Sequence, residues 1–381
     1  MIYVDNAATS WPKPNNVAEK VVESINQIGA NPGRGGHRLS VEAGRRVFQT
    51  RENIARLFNL EDSKQIVFTL NTTDGLNMVI KGVLSPGDHV ITSVLEHNSV
   101  LRPLHNLSRN GVDIDIVKCD KNGFIPPQWI HDKINDRTKM VVLNHASNVI
   151  GTVQPVEEIG KKLGEQVFFL VDAAQTAGTY PIDLKEMPVD ALAFSGHKGL
   201  LGPQGTGGLY IAPGQELRFW REGGTGSHSE QPEQPLDMPD RYESGTPNTP
   251  GIAGLNAGVE FLLDNGVSKL LGEEKSLIET LYQGIKNLPG IKVYGPGPSS
   301  ECIPVLSFNH KNMNSQEVSM ILDEQYNIAC RGGLHCAPKI HEYMGSASSG
   351  MVRMSVGPFN TQTEITEIIQ AIKEIAEHLG E

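Results

Sequence analysis

Four apolar, strand-like runs in this 381-residue chain end in side chains able to do chemistry. Val90–Ser93 leads into Leu95-Glu96-His97-Asn98, and Met140–Leu143 into Asn144-His145-Ala146-Ser147-Asn148. Phe168–Val171 leads into Asp172-Ala173-Ala174-Gln175. The run through Ala193 and Phe194 ends in Ser195-Gly196-His197-Lys198-Gly199, with Gly202-Pro203-Gln204-Gly205-Thr206 close behind. An acid at a strand end is commonly a helix cap, and most lysines are solvated surface groups. Lys198 departs from that pattern: it directly follows a buried strand, and its small, glycine-rich surroundings read as clearance. Upstream, Ile66–Leu70 is followed by Asn71-Thr72-Thr73-Asp74-Gly75 and then an apolar helical pattern. Hydroxyls and backbone N–H groups at a helix start suit a phosphate, although taken alone this motif reads more simply as an N-cap.

Residues arranged this way need an open α/β sheet, because ligands bind beyond the carboxyl ends of its strands. Seven apolar runs alternate with helical patterns between Asn53 and Ile211: Ile66–Leu70, His89–Ser93, Ile114–Val117, Met140–Asn144, Val167–Val171, Ala191–Phe194 and Gly208–Ile211. Several are almost wholly apolar, as mostly parallel strands covered on both faces are. The pattern breaks in a polar, Pro/Gly-rich loop from Arg218 to Pro250, a length that usually marks function or an interface. Beyond it, helices are expected over Ile252–Leu263, Ser268–Asn287, Ser315–Tyr326 and Thr361–Leu379. Short strands are expected over Ile291–Tyr294, Pro304–Phe308 and Val352–Ser355. The expected division is a large α/β domain over residues 15–250 and a smaller α+β domain from residues 1–14 and 251–381.

Thirty-three Lys and Arg against 44 Asp and Glu leave a net charge of −11, which argues against nucleic acid or an anionic membrane as a main partner. Hydrophobic content of 38% excludes a disordered chain. Cys119, Cys302, Cys330 and Cys336 are too few and too irregular for a disulfide framework or a metal knuckle, so no metal is expected. The start lacks signal-peptide features and no run is long enough to span a bilayer, so the expectation is a reduced, cytoplasmic protein.

A lysine able to form a Schiff base, an acid for a ring nitrogen and a helix-end phosphate site together describe pyridoxal 5′-phosphate (PLP) chemistry. Ser195-Gly196-His197-Lys198, Val171-Asp172-Ala173-Ala174-Gln175 and Ser147-Asn148-Val149-Ile150-Gly151-Thr152 resemble the motifs of class V aminotransferase-fold enzymes. Within these the chain most resembles cysteine desulfurases and selenocysteine lyases, from Tyr3-Val4-Asp5-Asn6-Ala7-Ala8-Thr9 to its last helix. The resemblance implies PLP-dependent transferase fold type I. It implies that Lys198 holds PLP and later moves the substrate Cα proton, that Asp172 pairs with the pyridinium nitrogen, and that Gln175 bonds the phenolic oxygen. His97 would stack on the ring and aid proton transfer. Thr73, Ser195 and His197, with Thr72, would hold the phosphate. Thr246 would reach the phosphate of a neighbouring subunit, in a homodimer with shared sites. Asn148 and Arg353 would bind the substrate carboxylate, and Arg34 lies in a loop that enters the site.

Arg331-Gly332-Gly333-Leu334-His335-Cys336-Ala337-Pro338 is similar to the family's cysteine loop, which makes Cys336 the expected nucleophile, beside His335 and close to Arg331. The other three cysteines read as packing residues. The resemblance then implies conversion of L-cysteine to L-alanine, with a persulfide on Cys336 passed to a sulfur-acceptor protein, as in iron–sulfur cluster assembly. L-selenocysteine would also be a substrate. Leu334 and Gly33 stand where relatives often carry histidine, and the loop from Gly223 to Arg241 has no clear counterpart. Two other readings stay open: another PLP enzyme of this fold (aminotransferase, epimerase or C–S lyase) with Cys336 incidental, and a non-catalytic scaffold.

Overall fold

The computed structural model describes all residues except Arg34, Glu165, Ser299, Ser300 and 379–381, and the backbone only of His378. Strand β1 is Ile2–Tyr3. Strands β2 (Ile66–Thr69), β3 (His89–Ser93), β4 (Asp113–Val117), β5 (Thr138–Asn144), β6 (Phe168–Asp172), β7 (Ala191–Ser195) and β8 (Gly207–Ile211) form one sheet in the order β2-β8-β7-β6-β5-β3-β4. Only β8 runs antiparallel to its neighbours β2 and β7. All seven expected runs are strands of one mostly parallel sheet, as the fold class requires. Leu70 was expected in β2 but lies beyond it, 53% exposed, because the chain there turns into the helix Thr72–Val83.

The second sheet contains β9 (Ile291–Tyr294), β10 (Val305–His310), β12 (Arg331–Gly333) and β13 (Met351–Ser355), antiparallel in the order β12-β13-β10-β9. The two-residue β11 (Ile328–Ala329) pairs in parallel with β1. The helices Thr249–Asn265, Val267–Ile285, Ser315–Tyr326 and Gln362–His378 lie within a few residues of expectation. Residues 212–248 hold neither helix nor strand.

Two apolar layers sandwich the large sheet, one through Ile54, Phe58, Val141, Phe169 and Phe194, the other through Leu76, Ile80, Val90, Val142 and Leu170. Successive residues of β5 and β6 point to opposite layers, so both faces are buried, as their apolar sequences demand. A third core under the small sheet includes Phe308, Leu322, Val352 and Ile368. None of the described helices is long and apolar enough to cross a membrane.

Register brings the chemistry to one edge. Asn144 pairs with Asp172, and Asp172 with Ala193, so the carboxyl ends of β5, β6 and β7 are level. The chain neighbours of β3 lie on opposite sides of it, and a strand order that reverses there opens a crevice at the strand ends. The glycines around Lys198 serve a different purpose from the expected clearance for a ligand. A Cβ on Gly196 would sit 2.1 Å from Thr206 Oγ1, and one on Gly199 2.3 Å from Thr179 Oγ1. They let neighbouring segments close tightly on the lysine turn.

Residues 1–13 strap the two sheets together. Ile2 and Tyr3 pair with Ile328 and Ala329, and the Ala7 N–H donates to Ser355 Oγ. The His197 carbonyl accepts from the Ser10 N–H (3.0 Å), Thr9 Oγ1 (3.1 Å) and Lys13 Nζ (3.3 Å).

Candidate active site

A cavity of ≈ 330 Å³ at the carboxyl edge of the large sheet is lined by Thr72, Thr73, His97, Asn148, Asp172, Gln175, Ser195, His197, Lys198 and Arg353, every one expected from sequence. Arg331 and His335 line it too. Two other expected residues, Thr246 and Cys336, lie outside this lining. Thr246 is exposed in a separate hollow of the molecule, beside Arg51 and Glu243. Arg34 lies outside the described residues.

Two helix starts and a strand end converge on one wall. Asn71 caps the helix Thr72–Val83 by accepting from the Asp74 N–H, which presents Thr72 and Thr73 in the first turn. Thr72 Oγ1 lies 2.8 Å from Ser195 Oγ at the end of β7, and Thr73 Oγ1 lies 2.7 Å from Ser99 Oγ. His97 caps the next helix, Asn98–Ser108, through an N–H···Nδ1 bond from Ser99. Burial, and then the Lys198 and Arg331 charges, push its pKa down to about 4. The ring is therefore neutral near pH 7, and because Nδ1 accepts from a backbone N–H its proton sits on Nε2.

Lys198 makes no side-chain hydrogen bond among the described residues, and its pKa is lowered to about 8, mainly by burial. Asp172 opposes that shift, whereas Arg353 and Arg331 add to it. An amine so tuned is available as the free base for attack on an aldehyde. Burial raises the pKa of Asp172, and the Ala174 N–H at 2.9 Å and the Lys198 charge partly offset this. Among the described residues it has no ion-pair partner. Gln175 Nε2 donates to the Ala7 carbonyl. Behind this wall the fully buried Glu96 accepts from Ser93 Oγ at 2.6 Å, and burial lifts its pKa to about 8.

Arg353 is 1% exposed, with Nη2 on Asp5 Oδ1 (2.6 Å) and Nη1 on the Asn148 carbonyl (3.1 Å). It pairs across the small sheet with Arg331, so two guanidinium groups stand together at the cavity. Arg353 Nε, Asn148 Oδ1 and His197 Nδ1 are buried without a partner. Unpaired buried groups are costly, and a bound group bearing phosphate and carboxylate oxygens would relieve the donors among them. The donor set therefore fits PLP: an uncommitted lysine, an acid without a cation, converging hydroxyls at a helix N-terminus, and cations for an anionic substrate.

Cys336 is exposed at the rim, in a groove that shares Thr73, His97 and Ser99 with the cavity. Arg331 Nη2 is 4.0 Å from its sulfur. The short loop carrying it is tied down on both sides: the Asn98 N–H donates to the Cys336 carbonyl (2.7 Å), and Asn148 Nδ2 to the His335 carbonyl (2.7 Å). His335 Nε2 bonds the Met351 carbonyl (2.8 Å). His335 and Cys336 both have left-handed φ angles, 49° and 57°, a conformation costly for side chains of this size. Burial pushes the thiols of Cys119 and Cys302 up to about 11 and that of Cys330 to about 12. Those three are inert in the neutral range, as packing residues should be. Sequence reasoning passed over Asp5 and Ser99. Asp5 carried a signal only as part of the quoted N-terminal motif, and Ser99 looked like any residue of a first helical turn.

A glycine-bracketed lysine at a strand end, facing a strand-end aspartate across a mostly parallel sheet, defines a PLP-type transferase fold. The Aminotransferase class-V family profile matches residues 2–368, and the chain belongs to that family. Within it, curated relatives that match nearly the whole chain carry the name cysteine desulfurase. A probable cysteine desulfurase of Methanothermobacter thermautotrophicus is 35% identical over 98% of this chain and 94% of its own length. The cysteine desulfurase of Haloferax volcanii is 32% identical over 98% of this chain and 88% of its own. The apo structure of the Thermococcus onnurineus cysteine desulfurase superposes with a TM-score of 0.91 at 32% identity, covering 99% of this chain and 95% of that one.

Proposed function

We propose that this chain is a PLP-dependent cysteine desulfurase that converts L-cysteine to L-alanine and leaves the sulfur as a persulfide on Cys336. The observation that carries the reading is the exposed Cys336 thiol, with a guanidinium 4.0 Å from its sulfur, at the rim of the Lys198 cavity. A transaminase would have no use for it there. PLP, when bound, supplies an electron sink that labilises the Cα–H and Cβ–S bonds of the amino acid.

Lys198 holds the cofactor, Asp172 the ring nitrogen, Gln175 the phenolic oxygen, and Thr72, Thr73, Ser195 and His197 the phosphate. Arg353, steadied by Asp5, takes the substrate carboxylate with Asn148, and Arg34 is assigned to the same end. The Lys198 amine would take the substrate Cα proton, and His97 Nε2–H would assist proton movement. The Cys336 thiolate then attacks the substrate sulfur. The Cβ–S bond breaks, its electron pair stays on carbon, a proton delivered there completes the methyl group, and Lys198 returns a proton to Cα to give alanine. One S–S bond replaces one C–S bond, so no external oxidant is needed.

Further parts of the reading are a homodimer in which Thr246 completes the phosphate site of the second copy, a cytoplasmic protein, and activity on L-selenocysteine. The domain division is 15–250 against 1–14 plus 251–381, which the pairing of β1 with β11 supports. Intact mass spectrometry after L-cysteine tests the central claim. A one-sulfur adduct lost in Cys336→Ser, with alanine formed in equal amount, is expected. Sulfide release from L-cysteine at the parental rate in Cys336→Ser would leave a C–S lyase with an incidental thiol.

A further inference from the structure

The groove that holds Cys336 continues away from the Lys198 cavity along two helices. Its walls are two stripes at four-residue spacing, Thr73, Asn77 and Lys81 on one helix and Asn98, Arg102 and Asn106 on the other. Such spacing puts each set on one helix face. Both helices begin at the carboxyl edge of the sheet, so their N-terminal ends meet at Cys336 and their partial positive charge adds there. Among the described residues no aspartate or glutamate lines the groove, in a chain of net charge −11. Lys81 and Arg102 are exposed, and neither side chain has an ion pair or hydrogen bond among the described residues. Lys162, Lys185, Arg45 and Arg137, by contrast, all have carboxylate partners.

We propose that this groove is the docking track of the sulfur acceptor, and that it takes an extended segment carrying a thiol with acidic residues a few positions away. The proposal rests on the desulfurase reading for the origin of the sulfur. The stripe from residue 73 to residue 81 spans about 12 Å at 1.5 Å per residue, the length of about four extended residues. A cysteine placed at Cys336 therefore sets an acid about three or four residues away against Lys81 or Arg102. In transfer, the acceptor thiolate attacks the outer sulfur of the Cys336 persulfide. A new S–S bond forms on the acceptor, the old one breaks, and its electron pair returns to Cys336 Sγ, which takes up the proton the acceptor gave. The exchange is redox-neutral.

The test uses the full chain with its cofactor and two synthetic peptides whose single cysteine is activated as a thiopyridyl disulfide. One has glutamates three and four residues from the cysteine, the other lysines, and Cys336→Ser protein supplies the background. Thiopyridone release reads disulfide formation on Cys336 without any need for L-cysteine turnover, so its failure is separate from failure of the desulfurase reading. The acidic peptide is expected to react about five- to tenfold faster at low salt, with the ratio falling towards one near 1 M salt. Lys81→Glu combined with Arg102→Glu should reverse the preference. Equal rates, or a preference that survives the charge reversal, would overturn the proposal. So would equally slow reaction of both peptides, as expected if a second copy of the chain covers the groove.

Discussion

Asp5 and Arg353 lie 348 positions apart, yet one ion pair between them sets which part of the guanidinium is left for a substrate. Asp5→Asn should raise KM for L-cysteine more than it lowers kcat, and cost roughly 1.5–3 kcal/mol in denaturant unfolding, the scale of a hydrogen bond to a charged group. Cys336→Ser should lower alanine formation by about a hundredfold or more while leaving the absorbance of bound PLP unchanged. A Cys336→Ser protein that keeps the parental rate would refute that role. Glu96 permits a pH prediction. Its pKa is raised from 4.5 to about 8 in the folded chain, so the folded state binds the extra proton between those values. The stabilisation is whole below about pH 4.5 and is lost as pH rises through about 8. Unfolding free energies of the parent should therefore fall across that window relative to Glu96→Gln, and parallel curves would contradict it. At this scale Lys198, Asp172, His97 and Cys336 were legible, because each follows an apolar run or sits in a recognisable loop. Asp5 was not, because nothing in its neighbourhood announces a partner so far away.

The elements were legible where burial leaves no choice. β5 to β8 are nearly continuous apolar runs, and every one appeared within two residues of its expected ends. β11 and β12, of two and three residues, carry no alternation and owe their existence to partners, β1 for one and β13 for the other. The lysine turn was read as roomy because it is rich in glycine, whereas contacts from other segments occupy that space. Gly207 makes the same point at the phosphate wall. A Cβ there would meet Asn71 Cα at 2.7 Å and the Phe194 carbonyl at 2.8 Å, both backbone. Gly207→Ala should therefore destabilise the fold by about 1–3 kcal/mol, the usual cost of overpacking, and weaken PLP binding in a fluorescence titration. An Ala variant with parental stability and affinity would show that the strand has slack.

At the scale of the whole molecule, two exposed apolar side chains share one helix face. Val41 and Phe48 stand seven residues apart on the helix Arg38–Leu57, 64% and 56% exposed. Such a pair is what a shared-site dimer would cover. Sedimentation should give a dimer, and Phe48→Asp should shift it towards monomer and lower turnover with it, since Thr246 would no longer reach a second site. A fully active monomer would reject both. The net charge of −11 was the least informative feature of the sequence, because it hid a local exception around Cys336 that only packing brings together.

The N-terminal strap has a consequence for how the protein is made. Asp5 and Ala7 leave the ribosome 348 residues ahead of their partners Arg353 and Ser355. The large sheet, complete by Ile211, is free to form while translation continues. The substrate end of the site is not, and stays open until Arg353 and Ser355 reach the strap. A chain truncated before Arg353 should therefore keep the contacts of Thr9, Ser10 and Lys13 with the His197 carbonyl but hold an incomplete pocket, without chemistry on cysteine.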